Sequence, residues 1–157
     1  MRAVVITVSD RVSTGKAEDR SGPAVAELLN GLGFETTVEV VPDGVESVEA
    51  ALRAALASGV DLIITTGGTG MSPRDLTPEA TRRVIEREAP GVAEAMRAAT
   101  FGVNPHGMLS RGVCGIAGTT LVLNLPGSPA GARESLGVVG PALEHAVGLL
   151  GGRPTAH

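Results

Sequence analysis

The densest turn in the chain is Thr65-Thr66-Gly67-Gly68-Thr69-Gly70, and it is the first place where the residue types could do chemistry. Glycine tolerates positive φ and lets a ligand approach the main chain, so such a loop can cradle phosphate with N–H groups alone. It is not a Walker A loop: no G-x-x-x-x-G-K-[ST] occurs, and the one lysine, Lys16, lies far away in sequence. It is not the dinucleotide fingerprint either, because Pro73 stands where the third glycine is needed. The competing reading is a bare connection from a strand to a helix.

Two aspartates fall near this loop. Asp75 lies just past it in Arg74-Asp75-Leu76-Thr77-Pro78, and Asp43 lies in Pro42-Asp43-Gly44. If both project from one edge of a parallel sheet, they repel bound phosphate: unit charges ~5 Å apart cost about 3 kcal/mol at an effective dielectric near ~20. A cation between them resolves the conflict. Mg²⁺ is the natural one, held by one or two carboxylates plus phosphate oxygens. Another reading stands beside this one. Asp43 with Glu46 can form a capping box, and Thr77 can cap a helix opened by Pro78, which leaves Asp75 as a solvated loop charge.

Three further segments place polar groups where a ligand edge is expected. Ser9-Asp10-Arg11 ends an apolar run and is also ordinary turn chemistry. Ser110-Arg111-Gly112 offers a guanidinium that can fork onto phosphate or pair with a surface carboxylate. Pro126-Gly127-Ser128 echoes the glycine loop, since both run from an apolar strand through glycine into Ser-Pro; it can bind an anion, cap a helix, or do both. His106 has no metal partner in view, Cys114 sits in an apolar run as inert core, and no G-x-S-x-G is present.

The elements around these residues alternate. Apolar β-branched runs at 2–8, 35–41 and 60–65 read as strands, and the runs 113–117 and 120–124 read as a hairpin about Gly118-Thr119. Helical periodicity follows Ser21-Gly22-Pro23 (Val25, Leu28, Leu29, Leu32) and recurs at Val48, Leu52 and Leu56. A helix opened by Pro78 is broken by Pro90-Gly91, and another begins at Val92. The last helix keeps one face through positions 136, 139, 143, 147 and 150, with a kink expected at Gly140-Pro141. Strands alternating with helices predict an α/β fold: a mostly parallel sheet covered on both faces, with ligands at the carboxyl ends of its strands.

Composition bounds the rest. At 157 residues the chain reads as one domain, 1–157, with no linker or low-complexity segment. A net charge of −4 argues against a nucleic-acid partner, and with Trp and Tyr absent and Phe present only twice, stacking platforms for bases are nearly excluded. One cysteine excludes an internal disulfide, and His106, His145 and His157 lack metal-ligand spacing. No apolar run reaches the ~18 residues of a membrane span, and residues 1–8 lack a signal peptide's layout, so the expected place is the cytoplasm.

Taken together these pieces resemble the MogA/MoaB family of molybdenum cofactor biosynthesis proteins, which extends to the G domain of gephyrin. The resemblance is carried by Ser9-Asp10-Arg11, Pro42-Asp43, the stretch from Asp61 to Gly70, Arg74-Asp75-x-Thr77-Pro78-x-Ala80-Thr81, Leu109-Ser110-Arg111 and Leu125-Pro126-Gly127-Ser128-Pro129, in family order. It implies a three-layer α/β/α sandwich that assembles as a trimer or hexamer, with other cofactor-biosynthesis proteins as possible partners. It also implies a molybdopterin adenylyltransferase: with Mg²⁺ and ATP, the pterin's terminal phosphate attacks the α-phosphorus and pyrophosphate leaves. Asp43 and Asp75 match the family's two functional aspartates and would hold Mg²⁺. Ser9, Thr66, Gly67, Gly68, Thr69, Gly70, Ser110, Arg111, Pro126, Gly127 and Ser128 would bind pterin or nucleotide. His106-Gly107 stands where some relatives read Thr-Ala, and the chain's length leans toward the MoaB branch. The alternative function is therefore a protein that binds molybdopterin without nucleotide chemistry.

Overall fold

Side-chain alternation along the buried strands decides how the layers form. In the computed structural model, which describes residues 1–153, β1 (Arg2–Val8), β3 (Leu62–Thr66) and β6 (Thr120–Leu125) lie at the centre of the sheet. Ala3, Val5, Leu62, Ile64, Leu121 and Leu123 join one core cluster with α2 (Ser21–Gly31), α5 (Pro90–Ala98) and α6 (Pro129–Leu150). Ile6, Val8, Ile63 and Val122 join the other, with α3 (Val45–Ala57) and α4 (Thr77–Arg82). A continuously apolar strand split with period two is what a sheet covered on both faces requires. The expected three-layer sandwich is the one observed.

Among the described residues the strands form one sheet in the order β2-β1-β3-β6-β5-β4, with β2 at Glu35–Val41, β4 at Arg87–Glu88 and β5 at Cys114–Ala117. The pairs β1–β2, β1–β3 and β3–β6 are parallel, while β5 is antiparallel to β6 and to β4. The chain passes from β1 to β2 on one side and returns to β3 on the other. Winding therefore reverses between β1 and β3, and the crevice beyond their carboxyl ends is the place such sheets use for ligands.

The helix opened by Pro78 is shorter than its periodicity suggests. α4 ends at Arg82, and the N–H groups of Glu86 and Ala89 donate to the carbonyls of Ile116 and Cys114. Sheet pairing thus claims this backbone as the two-residue strand β4, which is too short to leave a periodic signal. Pro90 does not end that helix; it opens α5, where a missing N–H costs nothing. A single turn, α1 (Asp10–Ser13), and a 3-10 helix at Pro105–Leu109 are also additions to the expected elements. The third strand starts at Leu62, two residues later than expected. α6 runs unbroken through Pro141, with Leu136, Val139, Leu143 and Val147 buried.

Cys114 is buried in β5, and desolvation pushes its thiol up to about 12. The folded protein should therefore resist an aromatic disulfide reagent in mildly alkaline buffer and give one reactive thiol after unfolding. Rapid labelling of the folded chain would contradict this burial. Among the described residues no helix is long and apolar enough to cross a membrane.

Candidate active site

β1 and β2 end side by side, with Val8 opposite Val41, so the residues that follow them meet. The Asp10 N–H donates to Asp43 Oδ2 at 2.8 Å, and the Asp43 N–H donates to Asp10 Oδ1 at 3.1 Å. Arg74 closes this reciprocal pair. Its Nε and Nη2 donate to the Asp10 carboxylate, and Nη2 also reaches the Asp43 carbonyl at 2.8 Å. The capping-box reading of Asp43 and Glu46 does not hold: Gly44 occupies the cap of α3 and no side chain caps it. The Asp43 carboxylate instead points back across the strand ends.

The Arg74 hydrogen bond holds the Asp10 carboxyl below its ordinary value. A carboxylate depressed in the folded state contributes fully above the ordinary range, and its contribution disappears only as pH falls through the lowered value. A carboxyl-carbon NMR titration should give Asp10 a midpoint below the usual aspartate value of about 3.9. A midpoint at or above that value would contradict the clasp.

From Gly67 to Gly70 every carbonyl of the glycine loop is held by the protein. The Thr77 hydroxyl donates to Gly67 O at 2.9 Å and the Thr77 N–H to Gly68 O at 3.0 Å. The Arg111 N–H donates to Thr69 O at 2.9 Å, and Arg111 Nε to Gly70 O at 2.8 Å. Among the described residues, the N–H groups of Gly68, Thr69 and Gly70 have no acceptor in the chain. Three consecutive amide donors left over in this way are available to an anionic ligand. Thr77 is accordingly not the cap expected of it. It is the first residue of α4, and its side chain is the loop's anchor.

Both aspartates lie against this loop. Cβ atoms built at Gly68 and Gly70 would come 3.3 Å from Asp43 Oδ1 and 2.9 Å from Asp75 Oδ2. Asp75 Oδ2 accepts the Ser72 N–H at 2.9 Å, so Asp75 is a turn-closing residue and not merely a solvated charge. Among the described residues, Oδ1 of each aspartate is without a hydrogen bond. No group of three or more His, Cys, Asp or Glu is placed to hold a metal among those residues. Any ion here must complete its shell with ligand oxygens, as Mg²⁺ does on phosphates.

The other predicted residues divide between structural and open roles. Ser9 Oγ accepts the Val12 N–H and caps α1, and Ser128 Oγ accepts the Gly131 N–H and caps α6. The Thr66 hydroxyl donates to Pro126 O at 2.7 Å. That bond joins the two echoing turns, and a Cβ at Gly127 would lie 3.0 Å from Gly67 Cα. Arg111 does not present a free fork to phosphate. Its guanidinium donates to Glu79, Asp75 O and Gly70 O, so the carboxylate-pairing reading is the one realised.

Two cavities flank the loop. One, of about 370 Å³, is lined by Ser9, Asp19, Asp43, Gly67, Asp75 and Gly127, among others. The other, of about 410 Å³, is walled by Met96, Leu109 and Val138 and reaches Thr69, Ser110 and Ser128. His106 lines this second cavity as an exposed residue, while His157 lies outside the described residues. Sequence reasoning missed Asp19, which accepts from the Thr7 hydroxyl and the Gly22 N–H. Its position three residues before Gly22, at a helix start, is the available signal. It also missed buried Asn124, whose amide joins Thr65, Thr81 and the Val113 N–H.

Comparison with known proteins gives the chain's relatives. Residues 4–145 match a family model described as "Probable molybdopterin binding domain". The chain is 42% identical to the molybdopterin adenylyltransferase of Helicobacter pylori strain J99 over 152 residues, covering 93% of this chain and 85% of that protein. It is 40% identical to gephyrin of Dictyostelium discoideum over 161 residues, covering 96% of this chain but only 22% of gephyrin. The chain likewise spans 25% of the Drosophila melanogaster cofactor-synthesis protein cinnamon. Among solved structures, the molybdopterin biosynthesis enzyme MoaB from Thermus thermophilus superposes with a TM-score of 0.91 at 50% identity, covering 98% of each chain.

Proposed function

Because the chain belongs to the molybdopterin-binding family that includes MogA and MoaB, we propose that it is a molybdopterin adenylyltransferase of the cytoplasm. The observation that carries this reading is the glycine loop itself: every carbonyl from Gly67 to Gly70 is tied into the protein, and the amides of Gly68–Gly70 are left for a ligand. Preset donors of this kind stabilise developing charge without reorganisation, which is most of what transfer to or from phosphorus needs.

The chemical character of the two cavities supports a division of the substrates between them. The one with Asp43 and Asp75 takes the triphosphate of ATP, since its carboxylates exclude bare phosphate and admit it with a divalent cation. The apolar-walled one takes the pterin. Their shared walls are the glycine loop, Gly67-Gly68 facing one side and Thr69-Gly70 the other, and the Gly127-Ser128 turn. The pterin phosphate and the α-phosphorus therefore meet there. A phosphate oxygen attacks the α-phosphorus, the bond from that phosphorus to the α,β-bridging oxygen breaks, and pyrophosphate carries away the electron pair. The attacking oxygen is already anionic, so no general base is required. Asp43 and Asp75 would hold Mg²⁺ by their unbonded Oδ1 atoms, and bound Mg²⁺ neutralises triphosphate charge.

ATP labelled on its γ-phosphate tests the reading. With molybdopterin present the label should leave as pyrophosphate, whereas release as orthophosphate would overturn the assignment. Pterin binding with no cleavage would mark a binding protein. The homo-oligomer, trimer or hexamer, is part of the same proposal, and light scattering that gives a monomer mass would remove it.

A further inference from the structure

The two aspartates share a support that has the same form on both sides. Arg74 donates to the main-chain carbonyl of Asp43, and Arg111 donates to the main-chain carbonyl of Asp75. Each arginine is in turn fixed by a carboxylate outside the metal pair, Asp10 for Arg74 and Glu79 for Arg111. We infer that Arg74–Asp10 and Arg111–Glu79 are two positioning clamps that preset the backbone of Asp43 and Asp75 for one shared divalent cation. This rests on the reading of the site as a magnesium-dependent transferase.

The choice of acceptor is what makes these residues positioning groups. An arginine bonded to the Asp43 or Asp75 carboxylate would neutralise it and take the cation's place. Here both guanidiniums bond to carbonyl oxygens, and Asp10 and Glu79 balance their charge, so each aspartate's Oδ1 is left to a metal. Arg111 also holds Gly70 O through Nε and Thr69 O through its own N–H, which makes Asp75 and the loop one rigid unit. Arg74 draws the segment after the loop onto the ends of β1 and β2. Lysine cannot reproduce either clamp, because its single ammonium does not span acceptors that a planar fork reaches together. Both pairings hold the Asp10 and Glu79 carboxyls below their ordinary values, the arginine hydrogen bond being the largest cause in each.

The test uses Arg74→Lys, Arg111→Lys and Glu79→Gln in the full chain. Mn²⁺ binding with ATP is read by electron paramagnetic resonance, pterin binding by its fluorescence, and transfer by label. Each variant should bind Mn²⁺ about 10-fold or more weakly and lose kcat about 10- to 100-fold, and Arg74→Lys, whose partners Asp10 and Asp43 lie outside the apolar-walled cavity, should keep pterin affinity and the melting curve close to wild type. Unchanged Mn²⁺ affinity would overturn the clamps. So would a parallel loss of metal binding, pterin binding and melting temperature in Arg74→Lys, which would show a merely structural role. Wild-type protein that binds Mn²⁺ but transfers nothing would sink the transferase reading and leave the clamps to be judged on metal affinity alone.

Discussion

Asp75→Asn should leave the fold standing and lower adenylyl transfer by about 100-fold or more, the scale seen when one charge-handling group is removed from a preset site. Asparagine keeps an oxygen to accept the Ser72 N–H, so the turn that follows the glycine loop survives. The carbonyl held by Arg111 is main chain and is untouched. What disappears is one of two negative charges for a cation, at a half-buried position. The melting temperature should stay within a few degrees, and pterin affinity should hardly move because Asp75 does not line the apolar-walled cavity. Undiminished turnover would remove Asp75 from the chemistry. Asp43→Asn should behave alike, since asparagine can still accept from the Asp10 N–H.

Gly67→Ala should have the largest effect on stability. Gly67 has φ +105°, and a Cβ there would lie 2.3 Å from the Val8 carbonyl oxygen. That oxygen is backbone at the end of β1, a strand paired on both sides, and it cannot swing away. Strain at positive φ costs about 1–2 kcal/mol and overpacking a further ~1–3 kcal/mol, so the expected loss is roughly 3 kcal/mol, or about 10 °C in melting temperature. With no Trp or Tyr in the chain, far-UV circular dichroism is the natural probe. Gly118→Ala is the control. Its φ is +57° with nothing within 4 Å, so only the dihedral cost applies. Equal losses at the two sites would mean that contact with β1 does not define the loop.

What the residues disclose and what they hide have physical reasons. Strands apolar on both faces, such as 62–66, carry a strong signal because no solvent face interrupts them. The glycine loop is legible because positive φ restricts residue type, and Asp43 and Asp75 because strand ends in a parallel sheet share one edge. The clasp of Asp10 with Arg74 is not legible, because it joins positions 64 residues apart through side chains that are ordinary in any turn. Arg111 shows the same limit. A guanidinium beside a ligand loop has several candidate partners, and only the packing of α4 brings Glu79 to it. Thr77 reads as a cap because Pro78 follows it, yet its hydroxyl is worth more to the otherwise unpaired Gly67 carbonyl.

The most direct measurement mixes purified protein with molybdopterin, Mg²⁺ and ATP labelled on its α-phosphate, then separates the pterin. The account predicts label on the pterin in the wild type and almost none with Asp75→Asn. An unlabelled pterin that is nonetheless tightly bound by the wild-type protein would contradict it.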